Sequence, residues 1–406
     1  MAGNTRTIAE RTPPQPELIE NHGYPVQIHE VQTDDGYLLT LHRVPHGRVP
    51  NTGPGKKRPV LIMHGLLSSS GDWILLGPGN SLVYSLAEEG YDVWLGNARG
   101  NRYSRKHKSL DPKSRDFWQF SWHEIGVYDL PAMIDYILAR ASRGSGSDMG
   151  LFYVGHSQGT TAFYVMASKL PEYNDKIHAM VSLSPVAFMY NVASPFVKLL
   201  APFTGALPSF LTPLRRRPHR SVSRFSKLPG LPELLGGFEF LPESALAPLI
   251  GGLLCNKRVA TSSICANVMF LVSGYDSQQL NMSSLPLIMF HSPSGASTKQ
   301  FYHYGQLVMS GKFREYDYGL SNFMTYGSLS PPDYDLNKIT APVALLYANN
   351  DWLSSVKDVE ALASKLPNLV DKYNIPFDKF NHLDFLWAMN ASTLVYERVI
   401  ELFRNY

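Results

Sequence analysis

Short, unbroken apolar runs alternate with stretches of helical spacing through the first half of this chain. Residues 59–64 (PVLIMH), 91–95 (YDVWL) and 150–154 (GLFYV) are too short and too continuously apolar for surface helices, and they predict buried strands of a parallel sheet. Between them, residues 80–89 and 122–140 place apolar side chains at helical intervals. The alternation returns late in the chain. Residues 341–349 (APVALLYAN) predict another buried strand, 355–366 a helix, 369–375 an edge strand and 385–403 one long closing helix. Strand alternating with helix on both flanks predicts a doubly wound α/β domain.

From about residue 185 to 335 the alternation lapses. Residues 195–248 are dense in Pro, Leu and Phe and carry the run Arg215, Arg216, Arg217, which suits neither a strand–helix unit nor a solvated linker. A mostly helical cap inserted into the α/β core is expected there, because the sheet pattern needs both flanks. The expected division is a polar tail at 1–16, a core at 17–184 and 336–406, and an inserted cap or lid at 185–335.

Composition narrows the possibilities. The chain has 406 residues and is 44% apolar, enough for a large core. Its 37 Lys and Arg against 34 Asp and Glu leave a net charge of +3, which gives no broad footprint for nucleic acid. Two cysteines, Cys255 and Cys265, exclude a disulfide-rich scaffold and a Cys-rich zinc site, and no apolar run is long enough to span a bilayer. Residues 1–20 are polar, with Pro13, Pro14 and Pro16 and no apolar segment of a secretory leader, so the expectation is a cytosolic protein or one whose leader lies outside the sequence. Against that, Asn281 and Asn390 head glycosylation triplets that only the secretory pathway would use.

The strongest chemical signal is Gly155-His156-Ser157-Gln158-Gly159, directly after the strand at 150–154 and before the helical residues 160–169. An ordinary glycine-rich turn would explain the pentapeptide by itself. In a strand-to-helix context, G-x-S-x-G forms a nucleophile elbow that holds a serine in a strained turn with its hydroxyl exposed. Ser157 is the expected nucleophile. Serine needs a base, and the base needs an acid that fixes its tautomer. Asp351 follows the late strand, and His382 is the one histidine beyond Asp351. The chain order Ser, Asp, His is the order such elbows use, and Asp358, Asp371 and Asp384 are the rival acids. Two backbone donors for an oxyanion are expected from Gln158 and from Leu66, in the His64-Gly65-Leu66-Leu67 loop after the first strand. His64 is expected to brace that loop.

With these residues assembled, the chain resembles the acid lipase family of animals, the group of gastric and lysosomal acid lipases and their arthropod relatives. The resemblance runs from about Glu17 to Tyr406. It is carried by Gly23-Tyr24-Pro25, Asp35-Gly36-Tyr37, residues 64–67, Gly96-Asn97-Ala98-Arg99-Gly100-Asn101, Tyr128-Asp129-Leu130-Pro131-Ala132, residues 155–159, Asn350-Asp351 and Asn381-His382-Leu383-Asp384-Phe385. It implies an α/β-hydrolase fold with an inserted cap, Ser157, Asp351 and His382 as a triad, Leu66 and Gln158 as oxyanion donors, and hydrolysis of triacylglycerols, cholesteryl esters or related acyl esters without metal or organic cofactor. It also implies a secreted or endolysosomal protein acting on a lipid ester, at a lipid–water interface. Family members usually carry a cysteine pair in the cap; here Cys265 matches the first position and Ser273 the second, which leaves Cys255 as an alternative partner for Cys265. A soluble carboxylesterase of the same fold and a non-catalytic lipid carrier are the competing readings.

Overall fold

Eight strands form the main path of one sheet, and the alternation of their side chains assigns their buried apolar residues to one of two cores. In the computed structural model, residues 15–50, 57–141, 150–203, 237–240 and 259–406 are described, with the side chains of 203 and 259–265 excepted. The strands are β1 (Gln27–Gln32), β2 (Tyr37–Val44), β3 (Pro59–Met63), β4 (Asp92–Leu95), β5 (Lys106–His107), β6 (Leu151–His156), β7 (Ile177–Leu183), β8 (Glu239–Phe240), β9 (Ala296–Ser297), β10 (Val343–Tyr347) and β11 (Leu369–Asn374). The order across the sheet is β1-β2-β4-β3-β6-β7-β10-β11, with β5 on the side of β2 and a separate two-stranded ribbon of β8 and β9. From β4 to β11 every pairing is parallel, whereas β2 runs antiparallel to β1, β4 and β5. The sheet is therefore mostly parallel, as expected.

Strand periodicity sends successive side chains to opposite faces. Val60 and Ile62 of β3 and Phe152 and Val154 of β6 join one core with helix Leu82–Glu88 and the C-terminal residues Val395, Val399 and Phe403. Leu61, Met63, Leu151 and Tyr153 join the other, with helices Leu130–Ala141, Gln158–Lys169 and Val356–Ala363. The result is three layers, helix on sheet on helix.

The sequence pattern does not single out β1, β2 or β7. In β1 four of six residues are exposed, and β7 (IHAMVSL) carries His178 and Ser182 inside the run, so neither reads as a continuous apolar block. The expected closing helix at 385–403 is a correction. It is broken into Asp384–Trp387, a wide turn at Ser392–Tyr396 and Glu397–Arg404. Ala388 turns extended (φ −67°, ψ 140°), and the backbone is drawn toward the insertion: Ala388 bridges Leu280, Met389 N–H donates to Gln279 O at 2.9 Å and Asn390 N–H to Gln279 Oε1 at 3.1 Å.

Between residues 185 and 335 the described elements are mostly helical: Pro195–Leu200, Val259–Ser273, Leu285–His291, Thr298–Ser310 and Asn322–Tyr326, with the β8–β9 ribbon. The basic residues Arg215, Arg216, Arg217 and Arg220, the apolar stretch 246–254, Cys255 and the side chain of Cys265 lie outside the described residues. No helix among the described residues is long and apolar enough to cross a membrane.

Candidate active site

Five neighbouring strands, β3, β6, β7, β10 and β11, deliver side chains or backbone to one place at their C-terminal edge. The chain crosses from β3 to β4 on one side and from β4 to β6 on the other, so the loops after β3 and β6 open a crevice where the winding reverses. Ser157 sits on that edge after β6, with φ 51° and ψ −116°, a conformation costly for any residue with a side chain. Its N–H donates to Leu183 O of β7 at 3.1 Å, and its carbonyl accepts from Thr160 N–H at 2.9 Å, so sheet and helix hold the strained turn from both sides. The two glycines of the motif have separate steric reasons. A Cβ on Gly155 would stand 2.8 Å from backbone atoms of Gly159 and Thr160, and one on Gly159 would stand 2.6 Å from Met63 O at the end of β3.

Ser157, His382 and Asp351 come together in one hydrogen-bonded line. Ser157 Oγ lies 2.8 Å from His382 Nε2, and His382 Nδ1 lies 3.0 Å from both oxygens of Asp351. With Nδ1 facing a carboxylate, that nitrogen carries the ring proton and Nε2 is left to accept from the serine. Asp351 and His382 are both buried. Burial alone would raise the Asp351 carboxyl, but the facing imidazole, the Ser184 hydroxyl and backbone N–H groups outweigh it and hold the carboxyl below its ordinary value. Leu353 N–H and Ser354 N–H donate to Asp351 Oδ1 at 2.9 and 2.8 Å.

The loop after β3 brings Leu66 to the same crevice, and Leu67 takes a left-handed φ of 61° to do so. Gly65 lies so close to the elbow that a Cβ there would be 3.1 Å from His156 Nδ1 and 3.2 Å from Ser157 Cβ. Among the described residues no acceptor is hydrogen-bonded to the N–H of Leu66 or of Gln158. His64 braces this loop. Ala98 N–H and Asn101 Nδ2 both donate to its Nε2 at 3.1 Å, so Nδ1 holds the proton and donates to Gly65 O at 2.8 Å. Burial pulls His64 down to about 4, which keeps it neutral. Asp72 anchors the far end through Ser68 and through Ser292 Oγ at 2.6 Å; burial pushes its carboxyl up to about 6. Ser294 N–H donates to Leu67 O at 2.8 Å, so the insertion also holds this loop.

Several motif residues prove to be scaffolding. Arg99, fully buried, forks onto Asp35 (2.5 and 2.9 Å) and donates from Nε to Asp129 Oδ1 at 2.7 Å. Thus Asp35-Gly-Tyr, the segment around Arg99 and Tyr-Asp129-Leu form one ion network joining the β1–β2 turn to the helix at 130. Among the rival acids, Asp358 accepts from the Ser355 hydroxyl that caps its helix and from Asn191, Asp371 pairs with Arg398, and Asp384 faces Asp276.

Three contributors escape sequence reasoning. Ser184, after β7, donates to Asp351 Oδ2 at 2.5 Å and lies 2.6 Å from His382 Nδ1. His156, lowered to about 3 by burial and then by the neighbouring His382, donates from Nε2 to His382 O at 2.9 Å. Ser273, at the C-terminus of the inserted helix Val259–Ser273, accepts at its carbonyl from Trp352 N–H at 3.2 Å and His382 N–H at 3.3 Å, on the two loops that carry Asp351 and His382. Its hydroxyl turns back to Met269 O at 2.8 Å. The next residue, Gly274, has φ 113°, and a Cβ there would lie 2.1 Å from Asn350 O. Strand order is the signal that would have found Ser184, because β7 lies between the strands that end at Ser157 and Asp351.

No group of three or more His, Cys, Asp or Glu suited to a metal occurs among the described residues. What the arrangement can do is acyl transfer at a serine hydroxyl. The fold is that of the α/β-hydrolases. Residues 58–208 match the family model described as the alpha/beta hydrolase fold, and residues 15–77 match the one described as a partial alpha/beta-hydrolase lipase region. A soluble variant of the monoglyceride lipase of Saccharomyces cerevisiae shares the fold at 15% identity, with a TM-score of 0.53 over 93% of this chain and 96% of that one. Lipase 3 of Drosophila melanogaster is 45% identical over 96% of this chain and 92% of its own length. The human lysosomal acid lipase/cholesteryl ester hydrolase is 37% identical (96% and 90% covered), and the mouse gastric triacylglycerol lipase 36% (95% and 90%). The chain belongs to the animal acid lipase family and is a carboxylic ester hydrolase.

Proposed function

We propose that this protein hydrolyses lipid esters, of the triacylglycerol or cholesteryl ester class, through an acyl-enzyme on Ser157. Ser157 Oγ attacks the ester carbonyl while His382 Nε2 takes its proton. Asp351 stabilises the imidazolium, and the N–H groups of Leu66 and Gln158 receive the tetrahedral oxyanion. His382 then gives the proton to the departing alcohol, and water, deprotonated by the same imidazole, releases the fatty acid and frees the serine. The observation that carries this is the 2.8 Å and 3.0 Å hydrogen-bonded line from Ser157 through His382 to Asp351. The substrate class follows from what the relatives are named for, cholesteryl ester and triacylglycerol hydrolysis.

Residues 185–335 act as the cap over this site. Support comes from the bonds of Ser273 and Ser294 to the site loops and from the apolar side chains the insertion leaves in solvent, Leu199, Val268, Leu271 and Tyr275. Those side chains suit a lipid–water interface. A secreted or endolysosomal location accords with the exposed positions of Asn281 and Asn390 and with a lysosomal relative. The test is hydrolysis of emulsified triolein and cholesteryl oleate beside a soluble short-chain ester. Turnover of the emulsions is expected; turnover of the soluble ester alone would make the protein a carboxylesterase, and lipid binding without turnover a carrier.

A further inference from the structure

Ser184 occupies the point between acid and base on the side away from the nucleophile. Its hydroxyl is 2.6 Å from His382 Nδ1, closer than either oxygen of Asp351 at 3.0 Å, and 2.5 Å from Asp351 Oδ2. A hydroxyl has one proton to give and lone pairs to accept with. Asp351 as carboxylate has none to give, so the Ser184 O–H donates to Oδ2. The ring Nδ1–H then divides itself between the serine oxygen and the carboxylate. The side chain is fully buried, so no water competes for it.

The backbone is built to put it there. Ser184 has φ 54°, the second strained serine of the site, one strand over from Ser157. Its N–H continues the ladder to Leu346 O of β10 at 2.9 Å, and the carbonyl of Pro185 accepts from Ser354 Oγ at 2.5 Å. Strain of this kind persists where the surroundings over-determine it, and it clusters at functional sites. A glycine would fit that φ without cost, yet the position carries a hydroxyl.

We infer that Ser184 is a positioning residue for the ester hydrolysis, acting through Asp351 and His382; this rests on the roles proposed for Ser157, His382 and Asp351. Its hydroxyl ties Nδ1 to the carboxylate, fixing the tautomer and ring plane that aim the Nε2 lone pair at Ser157. When the serine proton moves to Nε2, the strengthened Nδ1–H already has two acceptors in place. Ser184 keeps its own proton throughout, and one proton alone travels, from Ser157 to His382 to the leaving alkoxide.

The experiment compares wild type, Ser184→Ala and Ser184→Gly, each alone and with Asp351→Asn, measuring kcat and KM on a soluble ester and fluorophosphonate labelling of wild type. A hydrogen bond to a charged group of this sort sets an expected fall in kcat of about 10- to 100-fold for Ala and Gly alike, with KM within about twofold. In the Asp351→Asn background the additional loss is expected to shrink to under about twofold, because the hydroxyl works through that carboxylate. Ser184→Gly suits the local φ and carries the test should the alanine variant not fold. A fall in kcat of less than about fivefold overturns the inference, as does a loss confined to KM, full activity with glycine, or an equal loss in the Asp351→Asn background. Unlabelled, inactive wild type overturns the hydrolase reading together with it, whereas a labelled wild type beside an unaffected Ser184→Ala overturns the Ser184 role alone.

Discussion

Asp351, bonded to His382, and Asp384, two residues beyond it, are equally buried, and their surroundings push them in opposite directions. Asp351 accepts from two backbone N–H groups, a hydroxyl and an imidazole, and its carboxyl is held low although burial alone would raise it. Asp384 is raised well above the ordinary value, first by burial and then by the facing Asp276, with one backbone N–H, from Asn381 at 2.7 Å, pulling the other way. Asp276 Oδ2 is buried and has no hydrogen-bond partner among the described residues. An Asp384 that keeps its proton supplies a donor. Burial therefore does not decide which carboxyl can balance an imidazolium; the count and charge of the donors around it do. Asp351 is arranged to stay charged beside His382, and Asp384 to stay neutral and clasp the Asp276 turn of the insertion to the His382 loop.

Exchanging each carboxylate for its amide gives the sharpest contrast. Asp351→Asn is expected to lower kcat on the order of ten-thousandfold, because the amide no longer fixes the productive tautomer. Asp384→Asn should lower it less than about tenfold, since the amide N–H₂ donates to Asp276 as the protonated acid does. Steady-state kinetics on one soluble ester reads both, and losses of the reverse order would exchange the two assignments.

A second break leaves both carboxyls untouched. Gly65→Ala places a Cβ 3.1 Å from His156 Nδ1 and 3.2 Å from Ser157 Cβ, so the loop that presents Leu66 must retreat. The expected fall in kcat is about a hundredfold, the worth of one oxyanion donor, with the pH dependence of melting unchanged. Retained kcat would remove the Leu66 N–H from the oxyanion role.

The smallest effect is thermal and depends on pH. The raised Asp384 contributes stability in full below the ordinary carboxylate value and loses it as pH rises through its raised folded value. Asparagine has no proton to lose. Wild type and Asp384→Asn should therefore melt alike near pH 4, and the variant should melt about 1–3 °C higher near pH 8. For Asp351 the slope is opposite, since a lowered carboxyl gives its stability above the ordinary value and loses it as pH falls through the folded one. Parallel melting curves for wild type and Asp384→Asn would show that Asp384 is ionised throughout.

β3, β4, β6 and β10 were legible because they are buried on both faces and their apolar runs are continuous, and they and the edge strand β11 lie within a few residues of the expected spans. β1 and β2 pair antiparallel at one end of the sheet, β1 mixing exposed with buried positions and β2 half-buried with buried ones, which blurs them, and the closing helix breaks at Ala388 because distant Leu280 and Gln279 claim its backbone. In the site, Ser157, Asp351 and His382 announce themselves by motif and chain order, and the structure brings all three together. Ser184 and Asp276 have no local signature. Each matters through a partner more than 100 residues away, Ser184 by the order of strands and Asp276 by the docking of the insertion, and neither order nor docking is written in local periodicity.

The central claim is that the activity resides in the Ser157 hydroxyl. Fluorophosphonate treatment of wild type and Ser157→Ala, followed by mass mapping of the modified peptide, tests it most directly. One adduct on Ser157 in wild type and none in the folded variant is the predicted result. An adduct on another residue, or a Ser157→Ala protein that still labels and turns over ester, would contradict it.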